Sequence, residues 1–378
     1  MTDLRSLQTL LPQTGGIVTM TDFDIVIETW PVAVATANTG SSAEMIANIN
    51  TVDGRLPSTH QTWLKVALWG PPFPNDPGPG PYCNYASKFC LAVDNGRPLV
   101  DLYFDGITVS WKECDGASLV DGVARGIYPI PDEAITQPNY IQGGYPGSAP
   151  GMPIGDCHMS ILNIQTRKLY ELWSLYYRNG HWNAGSGAIF DLTLPRTHTR
   201  PIGYSSADAS GLPCAPGHPF YDEIFGTGEI GHGFGCTLPV IRSQAFQPPF
   251  VWPASHTDGQ GTHRECPPMG SRLRLKSFDA IKSIGGPDFR LLDPFKVKYL
   301  RAWQRYGGIV VDTEGPTADW IGLGGQYDIR WGALQPSGAT LAQEWYLTFA
   351  GDTSFGMPPG YKLLVDYFDV LELGYGHP

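Results

Sequence analysis

The sequence predicts a mainly all-β fold: two packed β-sandwich or jelly-roll-like units, with one clear C-terminal helix and long Pro/Gly loops. Three observations carry this expectation. Apolar and polar residues alternate with a period of two along many short segments, the pattern of half-buried strands. The 378 residues include 46 Gly and 34 Pro, which punctuate those segments with turns. Only 16% of residues are charged, too few for the Glu- and Lys-rich faces of a helical bundle.

Taken in chain order, residues 23–28 (FDIVIE) set Phe23, Ile25 and Ile27 on one face and Asp24 and Glu28 on the other, and 43–50 read as a short helix. The runs 63–69 and 99–104 are nearly continuous in apolar residues, which predicts strands covered on both faces. Segments 158–164 and 168–177 form a hairpin pattern with Gln165-Thr166-Arg167 as the loop. Residues 272–276 alternate basic outside and apolar inside. Asp293-Pro294 opens a helix and Gly307-Gly308 closes it, with Val297, Leu300, Trp303 and Tyr306 as its apolar stripe. Residues 361–368 read as a closing strand.

The stretch 70–81 (GPPFPNDPGPGP) has too many prolines for the inside of a sheet. Residues 127–153 also carry repeated prolines and read as an extended, polyproline-like connection. They divide the chain into an N-terminal β-rich unit, 1–126, and a C-terminal β-sandwich unit, 154–378, that holds the candidate site.

A hydrophobic share of 42% supplies a large core and excludes a disordered chain. The net charge of -11 excludes the basic footprint of a nucleic-acid binder. No apolar run approaches the roughly 18 residues of a membrane span. No leader of charged and then apolar residues is visible over 1–11, yet the acidic, Trp- and Tyr-rich composition leads us to expect an extracellular protein. Seven cysteines leave at least one unpaired, and none shows the C-x-x-C spacing of a zinc knuckle. Cys83 and Cys90 flank a loop short enough to bridge, and Cys214 and Cys236 bracket the candidate site region.

Asp156 and His158 share one strand face, a carboxylate beside an imidazole suited to proton transfer or metal ligation. Asp208, in the small polar segment YSSADASGLP, is a candidate general acid or base, beside serines that suit a capping turn. Glu229 and His232 lie in a glycine-rich segment that marks close approach of a ligand or a second backbone, but on opposite strand faces. His256, ending VWPASH, is a candidate metal ligand with His158 or His232. Asp191 is an acid in an apolar strand, a place where acids are rare unless paired or functional.

The blocks YPIPDEAI (128–135), GDCHMSIL (155–162), LYELW (169–173), GSGAIFDL (185–192), YSSADASGLP (204–213), GEIGHGF (228–234), FVWPASH (250–256) and PPMGSRLRLK (267–276) give the chain a further likeness. In their order and spacing, residues 125 to about 315 resemble a family of bacterial proteins known mainly from genome sequences. Asp156-Cys157-His158 stands where that family usually reads Asp-Arg-His. The resemblance implies no activity and supplies no mechanism.

These residues lead to an expected carbohydrate-active protein, a glycoside hydrolase with a polysaccharide or oligosaccharide as its partner. Such hydrolysis needs two carboxyl groups flanking the bond. Asp208 and Glu229 are the expected pair, with Asp191, Asp156, His158 and His256 in support. Trp173, Tyr204, Trp252 and His232 are expected to bind the substrate, since aromatic faces suit sugar C–H surfaces. No cofactor is required, although the acidic stretch 312–319 offers oxygen ligands for a structural calcium. A non-catalytic lectin-like module and a histidine-based metal enzyme are the alternatives.

Overall fold

The computed structural model describes residues 42–67, 91–94, 99–105, 110–153, 155–163, 165–194, 199–314, 318, 320–325, 328–356 and 360–371. The expected strand at 23–28, the 70–81 stretch, the Cys83–Cys90 loop and residues 315–317 and 319 of the acidic stretch lie outside them.

The first strands are β1 (Trp63–Ala67), β2 (Leu91–Asp94), β3 (Val100–Phe104), β4 (Ser118–Val120) and β5 (Val123–Tyr128). A middle group comprises β6 (Met159–Asn163), β7 (Lys168–Trp173), β8 (Tyr176–Arg178), β9 (His181–Ala184) and β10 (Ser186–Asp191). The last group comprises β11 (Phe234–Leu238), β12 (Arg272–Leu275), β13 (Gly308–Thr313), β14 (Trp320–Gly324) and β15 (Phe368–Val370). Among the described residues helices are few: α1 (Ser42–Thr51), α2 (Tyr221–Phe225), α3 (Phe278–Ser283), α4 (Pro294–Arg305) and α5 (Leu341–Ala350).

Among the described residues these strands build a mainly-β architecture of three sheets. One has the order β1-β14-β11-β13-β12-β15, a second β10-β7-β6-β2, and a third β4-β5-β3-β9-β8. Each sheet pairs strands from both sides of residues 127–153: β1 with β14, β2 with β6 and β3 with β9, all parallel. Parallel neighbours require long crossovers, whereas β4–β5, β6–β7 and β8–β9 are local antiparallel hairpins.

Residues 127–153 are not the extended connection that their prolines suggest. They hold a 3-10 turn, Asp132–Ile135, and bury Tyr128, Ile130, Tyr140, Ile141 and Met152. Those side chains share a core with Leu102, Met159, Leu172 and Trp182. Burying so much apolar surface outweighs the polyproline preference of the intervening residues. The expected hairpin forms, but its second strand stops at Trp173. Ser174 adopts a left-handed φ of 54°, and its N–H bonds the Asp156 carbonyl at 2.8 Å, which turns the chain into β8 of another sheet. In β1 and β3 burial alternates: Leu64, Val66, Leu102 and Phe104 are buried, while Trp63, Lys65 and Asp101 meet solvent. At the C-terminal end Val365–Tyr367 is a 3-10 turn, and only Phe368–Val370 is strand. Arg272 is buried rather than outward, because its guanidinium donates to the Tyr306 carbonyl at 2.8 Å.

The expected helix is α4. The Asp293 side chain accepts from the N–H groups of Phe295 and Lys296, both at 3.0 Å, and Pro294 fits the first helical position. Leu300 and Trp303 are fully buried against the six-stranded sheet, where Trp303 meets Phe234 and Phe368 with ring centroids 5.1 and 5.4 Å apart. Helix α5 carries the reciprocal cap of Thr340 and Gln343 and a left-handed stop at Gly351, a pattern present in the sequence.

Gly307, with a φ of 71°, reverses the chain after α4. Gly308 then passes so close to Trp303 that a Cβ there would lie 2.4 Å from the indole. The buried ring has no room to withdraw. Gly308→Ala is therefore expected to cost about 1–3 kcal/mol. The measurement is urea unfolding, where the midpoint falls and the slope stays constant.

Candidate functional site

The hairpin β6–β7 sets Ser160 opposite Glu171 on neighbouring strands. Glu171 lies mid-strand among apolar residues and is 0% exposed. Its Oε1 accepts from Ser160 Oγ at 3.0 Å and from Ala215 N–H at 2.8 Å, and its Oε2 accepts from Cys214 N–H at 2.7 Å. Those two amides open the 3-10 turn Ala215–Gly217, whose first N–H groups have no partner inside the turn. Burial pushes the Glu171 carboxyl up to about 7; the two amides and Ser160 oppose this shift, and the nearby Asp208 charge adds to it.

His158 immediately precedes β6 and is buried. Its Nδ1 lies 2.7 Å from Gln142 Oε1, an oxygen that also accepts the His158 backbone N–H at 3.2 Å. Its Nε2 lies 2.9 Å from the Ala207 carbonyl and 3.7 Å from Asp208 Oδ1. Both ring nitrogens thus sit within hydrogen-bond reach of an oxygen, which fixes the orientation of the ring.

Asp208 is held by its own turn. Ser206 Oγ accepts from Asp208 N–H at 3.1 Å and donates to the Leu212 carbonyl at 2.6 Å. Gly211, with a φ of 80°, lets the turn meet Ser255; a Cβ there would sit 2.0 Å from Ser255 Oγ. The segment 204–213 therefore serves as both a capped turn and the carrier of a cluster residue.

Among the described residues, one group has metal-ligand types and spacing: His158, Asp208 and Cys214, whose ligand atoms lie within 4.8 Å of one another. Histidine, carboxylate and thiolate suit a zinc-like ion. An ion bound there would have to take Nε2 of His158 from the Ala207 carbonyl.

Of the ten residues expected at a site, the fold brings Asp208 and His158 together. His256 lies nearby, its Nδ1 2.7 Å from the carbonyl of Ala209, and Ser255 Oγ reaches the Tyr204 carbonyl at 2.8 Å. Trp173 is half-buried on the Glu171 strand, and Trp252 is half-buried in the turn that leads to His256. The remaining four do not join. Glu229 is exposed, and its charge acts on Lys298. Asp156 is exposed at the loop before β6. Asp191 ends β10 and accepts from Thr193 N–H at 2.9 Å and Thr193 Oγ1 at 2.6 Å, as a turn acid does. His232 is 0% exposed in a separate pair: its Nε2 is 3.1 Å from each carboxylate oxygen of Glu223, and its Nδ1 is 2.6 Å from the Gly233 carbonyl.

Glu171, Gln142 and Cys214 complete the cluster without having been singled out for it. Glu171 carried a signal: an acid at the centre of KLYELW is more anomalous than Asp191 at a strand end. Gln142 had none, because its place depends on how 127–153 folds.

No protein-family model, curated protein or solved structure matches this chain. Among the described residues, no helix is long and apolar enough to cross a membrane.

The enclosed Glu171 carboxyl holds its proton more tightly than it does in the unfolded chain. Its contribution to stability is complete below pH 4.5 and is lost as pH rises through about 7. Across that window wild-type stability should fall by ~3 kcal/mol relative to Glu171→Gln. Denaturant unfolding of both proteins at a series of pH values measures the difference, and a constant gap would refute the assignment.

Proposed function

We propose that the chain is a secreted carbohydrate-active hydrolase that cleaves a glycosidic bond with Glu171 and Asp208. The observation that carries the reading is the Glu171 carboxyl, raised to about 7 beside the Asp208 charge. Glycoside hydrolysis needs one carboxyl that keeps a proton near neutral pH and a second that is ionised. In this reading Glu171 donates a proton to the leaving oxygen. Asp208, with the His158 ring nitrogen 3.7 Å from its carboxylate, acts as base or nucleophile. Glu229 takes no part. Half-exposed Tyr204, shortly before the Asp208 turn, offers a ring face to the sugar. Both carboxyls are enclosed, so the reading requires the 203–213 turn to swing away for substrate.

That enclosure also favours a second reading: a non-catalytic, lectin-like module in which the cluster only fastens the turn. One experiment separates the two. Purified protein is assayed on aryl glycosides and a polysaccharide panel. Under the hydrolase reading Glu171→Gln and Asp208→Asn each lower kcat/KM by about 100-fold or more while circular dichroism is unchanged. The wild-type rate also falls as pH rises past about 7, where Glu171 loses its proton. Wild-type protein that releases no sugar from any glycan, or variants with undiminished rates, would leave only the binding module.

A further inference from the structure

We propose that one end of the five-stranded sheet carries an oligosaccharide-binding site, separate from the Glu171 cluster, that takes neutral glycans. The carbohydrate reading above supplies the ligand class; the site itself follows from the residues gathered there.

The hairpin β8–β9 closes through Asn179 and Gly180, with φ values of 56° and 84°. Two successive positive values are what a tight type I′ hairpin demands, and Asn-Gly is the residue pair best suited to it. The turn fixes the register Tyr177↔Trp182 and Arg178↔His181. Strand β9 then runs parallel to β3, with Tyr103 opposite Asn183. This brings the Tyr103 ring to His181, with centroids 4.0 Å apart and planes inclined by 35°. Arg125 lies over the same tyrosine at 4.5 Å, and Tyr177 stands edge-on to Trp182 at 5.3 Å.

Between these rings and the 3-10 turn Asp132–Ile135 opens a hollow of about 370 Å³, lined by Tyr103, Tyr177, His181, Trp182, Asp101 and Asp132 among others. Its size falls within the roughly 300–1,000 Å³ of small-molecule sites. Trp182 is buried, the other rings are half-exposed, and both carboxylates are exposed. Neither carboxylate enters a hydrogen bond or ion pair among the described residues.

This chemistry selects its occupant. Aromatic faces bury the C–H surface of a pyranose, while carboxylates accept hydrogen bonds from its hydroxyls. A purely apolar ligand would desolvate two acids without partners. Uronates, sulfates and phosphates meet two carboxylates against the single Arg125 guanidinium over Tyr103, on a chain of net charge -11.

The test uses the full chain carrying Glu171→Gln, so that bound glycan is not consumed. It is titrated calorimetrically with hexaoses of glucose, xylose and mannose, and with hexagalacturonate. At least one neutral hexaose should bind, and adding Tyr103→Ala or His181→Ala should weaken it about tenfold. Asp132→Ala, on an exposed turn, provides a variant that leaves the strands intact and should also weaken binding. No binding of any neutral hexaose, or unchanged binding in all three variants, would overturn the site. Tighter binding of hexagalacturonate would overturn the neutral-glycan assignment. Aryl-glycoside hydrolysis, read in parallel on the chain with native Glu171, reports on the acid pair alone. Its absence with hexaose binding intact would sink the hydrolase and not this site.

Discussion

Glu171 offers two carboxyl oxygens where the amides of Cys214 and Ala215 would otherwise lack acceptors. Its strand belongs to the four-stranded sheet, and its partners belong to the 203–218 segment. That segment is tied in turn to the six-stranded sheet: the Ser210 N–H bonds the Val311 carbonyl at 2.9 Å, and Leu212 packs with Ile309 and Val311. One enclosed acid thus links two sheets that share no strand. Loss of its acceptors would strand two buried amides, and an unpaired buried polar group costs about 1–3 kcal/mol.

The same region gathers ionisable groups out of water. His158 has oxygen at both ring nitrogens and Asp208 at 3.7 Å. Such clusters are weak contributors to net stability, because desolvation opposes the attraction between charges. What they supply is geometric definition: every partner sits where a particular hydrogen bond requires it. His232 and Glu223 repeat the device away from this cluster, with Lys298 fastening the same helix end through the carbonyls of Gly226 and Gly228 at 2.9 and 3.0 Å.

Local features of the fold were legible in the sequence wherever local chemistry decides them. Asp293-Pro294 and Gly307-Gly308 delimit α4, and the alternation in 158–164 and 168–173 marks a real hairpin. Legibility stopped where distant segments compete. The prolines of 127–153 point to an extended connector, but Tyr140, Ile141 and Met152 find a core to enter, and the segment folds onto it. The site divides along the same line. Asp208 and His158 stand out by residue type and meet. Glu229 and Asp156 stand out equally and lie exposed, because nothing in a glycine-rich run or a strand-start turn reveals which side faces the interior. Glu171 is the instructive case. Its neighbours made the strand so apolar that the acid passed as part of the pattern, although that is where an acid most needs a reason.

The hairpin that holds Glu171 is local, whereas the amides that meet its carboxyl come 43 and 44 residues later. A growing chain can therefore complete the hairpin while this side chain is still ionised in water. Arrival of the later segment shuts the water out and makes the charge expensive. Between the acidity of a free carboxyl and that of the enclosed one, the joining of two sheets consumes a hydrogen ion from the medium. Maturation of this chain is in that sense an acid-consuming reaction, and the acidity of the compartment where it occurs becomes one of its reactants.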